Sequence, residues 1–328
     1  MRAVWYEQQG AAADVLRIGD MDRPEPGPGE LRVRLVASGV NPVDCKRRRG
    51  GRGAMDGPRV VPHFDGAGVV DALGDGVDGR RLGERVWIYQ AQWGRAMGSA
   101  ADAIALDAAL AVRLPDNSGF DEGACLGIPA MTAHRCVFSD GPVTGRTVLV
   151  TGGAGAVGRY AVQFAALGGA RVIATVSSAE KAAVARAAGA HEVLDYKSED
   201  VAERIKEITG AAGVTRIVEV EFGGNLETSL AVIADNGVIA SYASDAVLEP
   251  ALPFYRLAYA NLTVRPVLVF AMPEEAKRRA IADITRWAES GELSHHMGPR
   301  FALEDCAAAH AAVEAGAFGK VIIQIAAL

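Results

Sequence analysis

The sequence predicts an α/β protein that joins a twisted, barrel-like β domain to a doubly wound domain with a parallel sheet. Three observations predict it. Up to Glu122 the chain is rich in turn formers set between short β-like runs. From Glu122 on, apolar β runs alternate with Ala-rich helical segments, the texture of βαβ units around a parallel sheet. One of those units opens on a glycine-rich turn between a buried strand and a helix. A length of 328 residues suits two domains of ordinary size.

Along the chain, Met1-Arg2-Ala3-Val4-Trp5-Tyr6 reads as the start of a strand. Turn formers follow at Pro24, Pro26, Gly27, Pro28 and Gly29, then at Gly50, Gly51 and Gly53, with β runs expected at 31–36, 68–72 and 85–89. Beyond Glu122 strands are expected at 147–151, 171–176, 192–194, 216–220 and 238–243. Helices are expected between them at 156–167, 179–188, 200–209 and 226–234. Past Asn261 comes a β run at 263–270, then an amphipathic helix at 274–290 with Ala276, Ala280, Ile284 and Trp287 at helical spacing. A helix near 305–315 leads into a last strand, 320–325.

Bulk properties exclude several functions. Half the residues are hydrophobic and 23% are charged, the balance of a soluble globular protein. A net charge of -6 argues against a nucleic-acid binder, which carries a basic excess to neutralise phosphates. No apolar run approaches the length of a membrane span, and the N-terminus lacks the apolar stretch of a secretion signal. The four cysteines (Cys45, Cys125, Cys136, Cys306) are scattered, with no Cys-x-x-Cys pair, as expected of reduced thiols in the cytoplasm.

The strongest local signal is Thr147-Val-Leu-Val-Thr151-Gly152-Gly153-Ala154-Gly155-Ala156-Val157-Gly158. It contains G-x-G-x-x-G at Gly153, Gly155 and Gly158, after a strand and at the head of a helix whose Val157, Ala161, Phe164 and Ala165 form one apolar face. Glycine lets the backbone turn tightly and lets a pyrophosphate approach. The helix N-terminus adds unpaired N–H groups and a positive dipole. The segment is therefore a dinucleotide-binding Rossmann turn, with Gly153, Ala154, Gly155, Ala156, Val157 and Gly158 against the cofactor.

An NAD site has Asp or Glu about 20 residues further on, on the ribose 2′-hydroxyl. Ser177 stands there instead, and Lys181 follows one helical turn later. Loss of the carboxylate removes repulsion against a 2′-phosphate, and the ammonium attracts it, so NADPH is the expected cofactor. Glu180 is the opposing feature, although an acid in a first helical turn also complements the dipole.

Other chemistry is missing. None of the seven tyrosines has Lys four residues later, there is no His-Glu-x-x-His, and the remaining histidines are isolated apart from His295-His296. Lys46, Arg47, Arg48, Arg49 and Arg52 form a basic cluster read as a Gly-rich loop, either simply solvated or attracting an anion.

Motifs run nearly end to end: Met1-Arg2-Ala3-Val4, Gly39-Val40-Asn41-Pro42-Val43-Asp44, Asp65-Gly66-Ala67-Gly68-Val69-Val70, Gly127-Ile128-Pro129, the glycine turn, Glu219 with Asn225, and Gly319-Lys320-Val321. On these the chain resembles the zinc-independent quinone oxidoreductases of the medium-chain dehydrogenase/reductase superfamily, in the zeta-crystallin-like branch. The resemblance implies a GroES-like catalytic domain from both chain ends, 1–122 and 262–328, with the Rossmann domain 123–261 inserted. It implies a cleft between them where hydride passes from NADPH to a quinone, in a homodimer or homotetramer to which the run 263–270 contributes.

Zinc-dependent relatives hold the metal through Cys where this chain has Asn41 and His where it has Phe64, and they carry four clustered cysteines absent here. Asn and Phe supply neither thiolate nor imidazole, so no metal is expected. Cys45 and His63 are offset from those positions and are not equivalents.

By the same resemblance Asn41 lies near nicotinamide and substrate, and Thr132 faces the cofactor. Tyr196 approaches the adenosine phosphate, Ser244 and Phe270 line the far side, and Lys320 joins the cofactor contacts. Close relatives have Tyr where this chain has Lys46, two residues after Asp44, which leaves the substrate open and makes Lys46 a candidate at the reacting end. An α,β-unsaturated carbonyl is the alternative acceptor, in an enone or enoyl reductase, since it also takes hydride at an electrophilic carbon. A non-catalytic NADPH sensor or nucleic-acid-binding protein is the reading from another class. The acidic charge and the lack of an aromatic-interleaved basic stripe count against nucleic acid.

Overall fold

The structure is a computed structural model that describes residues 1–326; the final two residues of the expected 262–328 segment, Ala327 and Leu328, lie outside the described residues. In chain order the strands are β1 Arg2–Trp5, β2 Arg17–Asp20, β3 Glu30–Val40, β4 Asp65–Leu73, β5 Arg85–Ile88, β6 Ala103–Asp107 and β7 Ala111–Arg113. They continue as β8 Thr147–Val150, β9 Arg171–Val176, β10 Glu192–Asp195, β11 Val214–Glu219, β12 Ile233–Ser241, β13 Thr263–Pro266, β14 Met297–Ala302 and β15 Lys320–Gln324. The chain divides into two compact units, Met1–Ile128 with the segment from Ile281 on, and Pro129–Ala280.

The first unit is built on a sheet of order β14-β15-β3-β4-β5-β7, with β6 also on β3. All its pairings are antiparallel except β14 with β15. This is the GroES-like β architecture. Long β3 is its spine: Leu31, Val33 and Leu35 alternate into a core shared with Val70, Val86, Ile88, Ile104 and Ile323. Both chain ends enter this sheet, because β15 pairs with β3.

The second unit holds six parallel strands in the order β10-β9-β8-β11-β12-β13. Renumbered within the unit this is 3-2-1-4-5-6, the order of a Rossmann fold. The central strands read as unbroken apolar runs, as both faces are covered: Val148, Leu149, Val150, Ile217 and Val218 are all buried. Among the described residues no helix is long and apolar enough to cross a membrane.

Several local expectations need correction. Lys46, Arg47, Arg48 and Arg49 of the basic cluster lie not in a loop but on the helix Pro42–Arg49, and Arg52 follows it in the glycine-rich turn. Asn41 at its N-cap, Pro42 at its first position and Asp44 on the Asn41 N–H (2.6 Å) are a helix-start signature. Its arginines are paired, Arg47 with Asp56 and both Arg48 and Arg49 with Glu314. The β run 263–270 is shorter, ending at Pro266 with a last bond from the Val267 N–H to the Ser241 carbonyl (2.7 Å), before a tight turn at Val269–Ala271. The helix expected at 226–234 runs Phe222–Val232 and hands over to β12 at Ile233. Strands β2, β6, β7 and β14 escape the sequence reading altogether.

Candidate active site

In the second unit the site begins where β8 ends. Gly153 and Gly158 pack inside the turn, and a Cβ on Gly158 would lie 2.1 Å from the carbonyl oxygen of Gly152. Gly155, the N-cap of the helix Ala156–Leu167, carries no side-chain cap, and Gly155 and Ala156 are exposed. The first N–H groups of that helix therefore face outward without intrahelical partners, as an anion site requires. Ala161, Phe164 and Ala165 anchor the other face of the helix in the core.

At the carboxyl end of β9, Lys181 Nζ donates to Ser177 Oγ at 3.0 Å, while Ser178 Oγ accepts from the Lys181 N–H as N-cap of the helix Ala179–Ala187. The Tyr196 N–H donates to the Val176 carbonyl at 3.1 Å, which sets its half-exposed ring beside the same strand end. A pocket of about 580 Å3 opens between β8 and β11, lined by Thr151, Gly152, Thr175, Tyr196, Glu219 and Val220 among others. It lies at the point where the strand order reverses, the crevice in which doubly wound folds bind dinucleotides.

The floor of that pocket is a polar network. Glu219 Oε1 accepts from Thr151 Oγ1 (2.8 Å), Asn225 Nδ2 (2.8 Å) and the Glu221 N–H (2.7 Å), and Ser229 Oγ donates to Oε2 at 3.2 Å. Burial raises the Glu219 carboxyl above its ordinary value, and these donors pull the other way. Thr132 is buried on the helix Met131–Phe138, Ser244 follows β12 and accepts from the Gly223 N–H at 3.0 Å, and Phe270 is buried in the turn after β13. These three stand on separate segments of the same unit as the glycine turn.

In the first unit Asn41 is buried in a charged cluster. Its Nδ2 donates to Asp65 Oδ2 at 2.8 Å and its Oδ1 accepts from Lys320 Nζ at 2.5 Å. Lys320 also lies 3.2 Å from Asp65 Oδ2, and Asp65 Oδ1 takes the Ile128 N–H at 2.8 Å. Gly127 is required here, because a Cβ would sit 2.1 Å from Asp65 Oδ1. Burial raises the Asp65 carboxyl, against the pull of Lys320 and Asn41. Lys46 is half-buried on the helix Pro42–Arg49.

The arrangement at Asn41 does not suit a catalytic zinc. An ammonium already meets the amide oxygen, and Phe64, fully buried, offers no donor. From the sequence, Asn41 and Lys320 have separate roles and Asp65 has none. The structure brings all three together. Asp65 carries a signal only as an acid inside the Asp65-Gly66-Ala67-Gly68 motif.

A β domain closed by both chain ends and an inserted Rossmann domain define a medium-chain dehydrogenase/reductase. The family models agree: residues 27–116 match the alcohol dehydrogenase GroES-like domain and 156–286 the zinc-binding dehydrogenase domain. Human quinone oxidoreductase is 30% identical over 327 residues, 98% of this chain and 97% of that protein. Among solved structures, the mycobacterial protein Rv1454c complexed with NADPH is 30% identical, with a TM-score of 0.87 over 99% of this chain and 100% of that one. An NAD-dependent alcohol dehydrogenase is 32% identical, with a TM-score of 0.91 over 99% and 100%. The chain belongs to the quinone oxidoreductase, zeta-crystallin-like branch of the medium-chain dehydrogenase/reductase superfamily.

Proposed function

We propose that this protein is an NADPH-dependent quinone oxidoreductase that passes hydride to a quinone without zinc. The observation that carries the cofactor choice is Lys181 Nζ on Ser177 Oγ at the end of β9, where an NAD site has a carboxylate. The acceptor class rests on the human relative, which is a quinone oxidoreductase.

The glycine turn from Gly153 to Gly158, with Ala154, Ala156 and Val157, binds the pyrophosphate through outward N–H groups and the helix dipole. Ser177, Lys181 and Tyr196 take the adenosine 2′-phosphate, and Thr132, Ser244 and Phe270 complete the cofactor contacts. NADPH supplies the hydride when bound, so the chain's task is orientation and electrostatics, with little acid–base machinery. Asn41 and Lys46 serve the reacting end, and Lys320 joins the cofactor contacts.

The zinc-free reading is supported by the ammonium of Lys320 on Asn41 Oδ1. A homodimer is supported by an exposed apolar patch on the second unit, where Phe254, Tyr255 and Tyr259 are 69%, 71% and 87% exposed. A cytoplasmic setting agrees with four buried, unbridged cysteines.

The test is oxidation of NADPH and NADH by the EDTA-treated protein, with 9,10-phenanthrenequinone and an enone as acceptors. The proposal expects NADPH-preferring turnover of the quinone that survives the chelator. Faster turnover of the enone would make the protein an alkene reductase. Cofactor binding without turnover of either would move it to the sensor class.

A further inference from the structure

Beneath the β3 sheet of the first unit lies a second cluster that hydride transfer does not use. His63 Nε2 and His310 Nε2 face each other at 2.9 Å, and Cys306 Sγ lies 4.0 Å from His63 Nε2. The three donor atoms lie within 4.8 Å of one another, and the three residues are at most 1% exposed. Cys306 and His310 are four residues apart on the helix Cys306–Glu314, so one helix face presents both.

The outer partners are also in place. His63 Nδ1 meets Ser38 Oγ at 2.9 Å, and His310 Nδ1 meets Cys45 Sγ at 3.4 Å. His63 thus has its second nitrogen on a hydroxyl that can accept, as metal-ligating histidines do, whereas His310 Nδ1 accepts from Arg48 Nε at 3.4 Å and must change tautomer to ligate through Nε2. Burial and their neighbours lower both imidazoles, His63 well below its ordinary value and His310 to about 3, so both rings are neutral, while burial raises the Cys306 thiol, which keeps its proton until a metal displaces it. His63 also holds a left-handed backbone, φ 84°, a strained conformation for a residue with a side chain.

We propose that His63, Cys306 and His310 form a binding site for a soft monovalent metal ion, copper(I), in three-coordinate geometry. Charge selects the ion. Two neutral imidazoles and one thiolate make a neutral centre with a monovalent cation, whereas a divalent ion leaves a net charge in a core of Val60, Val61, Leu303 and Ala309. Ligand number points the same way, since zinc prefers four donors. The neighbouring Arg48 guanidinium shares Glu314 with Arg49, so positive charge remains beside the site and further disfavours a divalent cation.

The metal-free state is a directional hydrogen-bond chain. Arg48 Nε, which only donates, gives its hydrogen to His310 Nδ1 at 3.4 Å, so His310 carries its proton on Nε2 and donates to His63 Nε2. His63 Nδ1 then donates to Ser38 Oγ, Ser38 to Ser99 Oγ (2.8 Å), and Ser99 to the Asp65 carbonyl (2.6 Å). Copper(I) breaks the His–His hydrogen bond. The His310 proton moves to Nδ1, where Cys45 Sγ accepts it, and Arg48 Nε gives up that acceptor. The Cys306 thiol releases its proton as the Cu–S bond forms. One proton leaves per ion bound, with no change of oxidation state. The two nitrogens spread from 2.9 Å to about 3.5 Å for metal–nitrogen distances of about 2.0 Å.

Because the site is enclosed, the test refolds the full chain from denaturant, anaerobically and with reductant, in the presence of copper(I) bicinchoninate or zinc(II). Metal per chain is measured after desalting, and copper ligation by X-ray absorption. The expected result is one copper per chain, with one sulfur and two nitrogen scatterers. Cys306→Ala should bind copper at least a hundredfold more weakly, while Cys125→Ala matches the parent. An unchanged near-ultraviolet circular dichroism spectrum and an unchanged urea midpoint in both variants certify folding. Absence of stoichiometric copper in the parent would overturn the site, as would a Cys306→Ala protein that retains it equally, or preference for zinc over copper(I).

Discussion

Lys320 reaches across the first sheet to place its ammonium 2.5 Å from the amide oxygen of Asn41, 279 positions earlier in the chain. Asp65 closes the triangle by accepting from both, so the Asn41 amide has its nitrogen and oxygen assigned by its neighbours. A residue proposed for the reacting end is thus held rigid by an ion pair that is almost wholly buried.

Lys320→Met should therefore destabilise the protein by about 3–5 kcal/mol, because it strands the Asp65 carboxylate without its cation. Asp65→Asn alone strands the ammonium. The double variant Lys320→Met with Asp65→Asn should recover a large part of the loss, since neither charge then remains. Urea unfolding of the four proteins measures this cycle, read at constant m-value. Simple additivity of the two single losses would refute the coupling.

Such a triangle is hard to find in a sequence, for a physical reason. The glycine turn is local: strand, glycines and helix lie within 21 residues of chain, Thr147 to Leu167, and each type reports its own backbone demand. The parallel sheet was legible for the same reason, since each buried run in β8, β9 and β11 is bounded by a helix of recognisable period. Strand β14, Met297-Gly298-Pro299-Arg300-Phe301-Ala302, carries Gly and Pro and owes its conformation to pairing with β15. The Asn41–Asp65–Lys320 and His63–Cys306–His310 clusters join chain ends through sheet topology, and no spacing reports that. The helix Pro42–Arg49 was legible in principle, but its four consecutive basic residues obscured the start signal at Asn41-Pro42.

The proposed phosphate site predicts cofactor selectivity. Lys181→Ala removes a charge-assisted contact worth about 1.5–3 kcal/mol, so the Kd for NADPH should rise about tenfold or more. NADH lacks the 2′-phosphate, and its Kd should change by less than about twofold. Adding Ser177→Asp to Lys181→Ala should weaken NADPH further through repulsion. Fluorescence titration with both cofactors measures it, and equal losses for the two would remove the phosphate from this position.

Asp44 predicts a pH dependence of stability. Its Oδ2 accepts from the Asn41 N–H, its Oδ1 is buried without a partner, and burial, helped by the charge of Asp65, raises its pKa from 3.8 to about 7. Between those values the folded protein keeps a proton that the unfolded chain has lost. Stability is therefore highest below the unfolded value, falls as pH rises towards 7, and then levels off, with a slope of up to about 1.4 kcal/mol per pH unit. Asp65 and Glu219, also raised by burial, add in the same direction. The difference between the parent and Asp44→Asn isolates this one group. Asp44→Asn should be the more stable protein at pH 8 and lose that advantage towards pH 5. A constant difference across the range would show that Asp44 does not titrate there.

The apolar patch on the second unit predicts the assembly. Phe254 and Tyr255 meet edge to face at 5.4 Å, and Tyr255 and Tyr259 lie 6.1 Å apart, all three exposed on or beside the helix Phe254–Tyr259. Leu248, Leu252 and Leu268 extend the apolar surface, and β13 is the last strand of its sheet, with one edge unpaired in the described structure. An isologous contact between two copies would cover the aromatic rings and offer each β13 edge a partner. The parent should therefore sediment at twice the chain mass of 34.3 kDa, or four times if dimers pair. Tyr255→Asp combined with Tyr259→Asp puts two carboxylates into each half of that contact, four in all, and should raise the dimer Kd by more than about a hundredfold. Sedimentation velocity near micromolar concentration should then give a monomer, with NADPH binding at the glycine turn unchanged. A double variant that sediments like the parent would move the interface away from this helix.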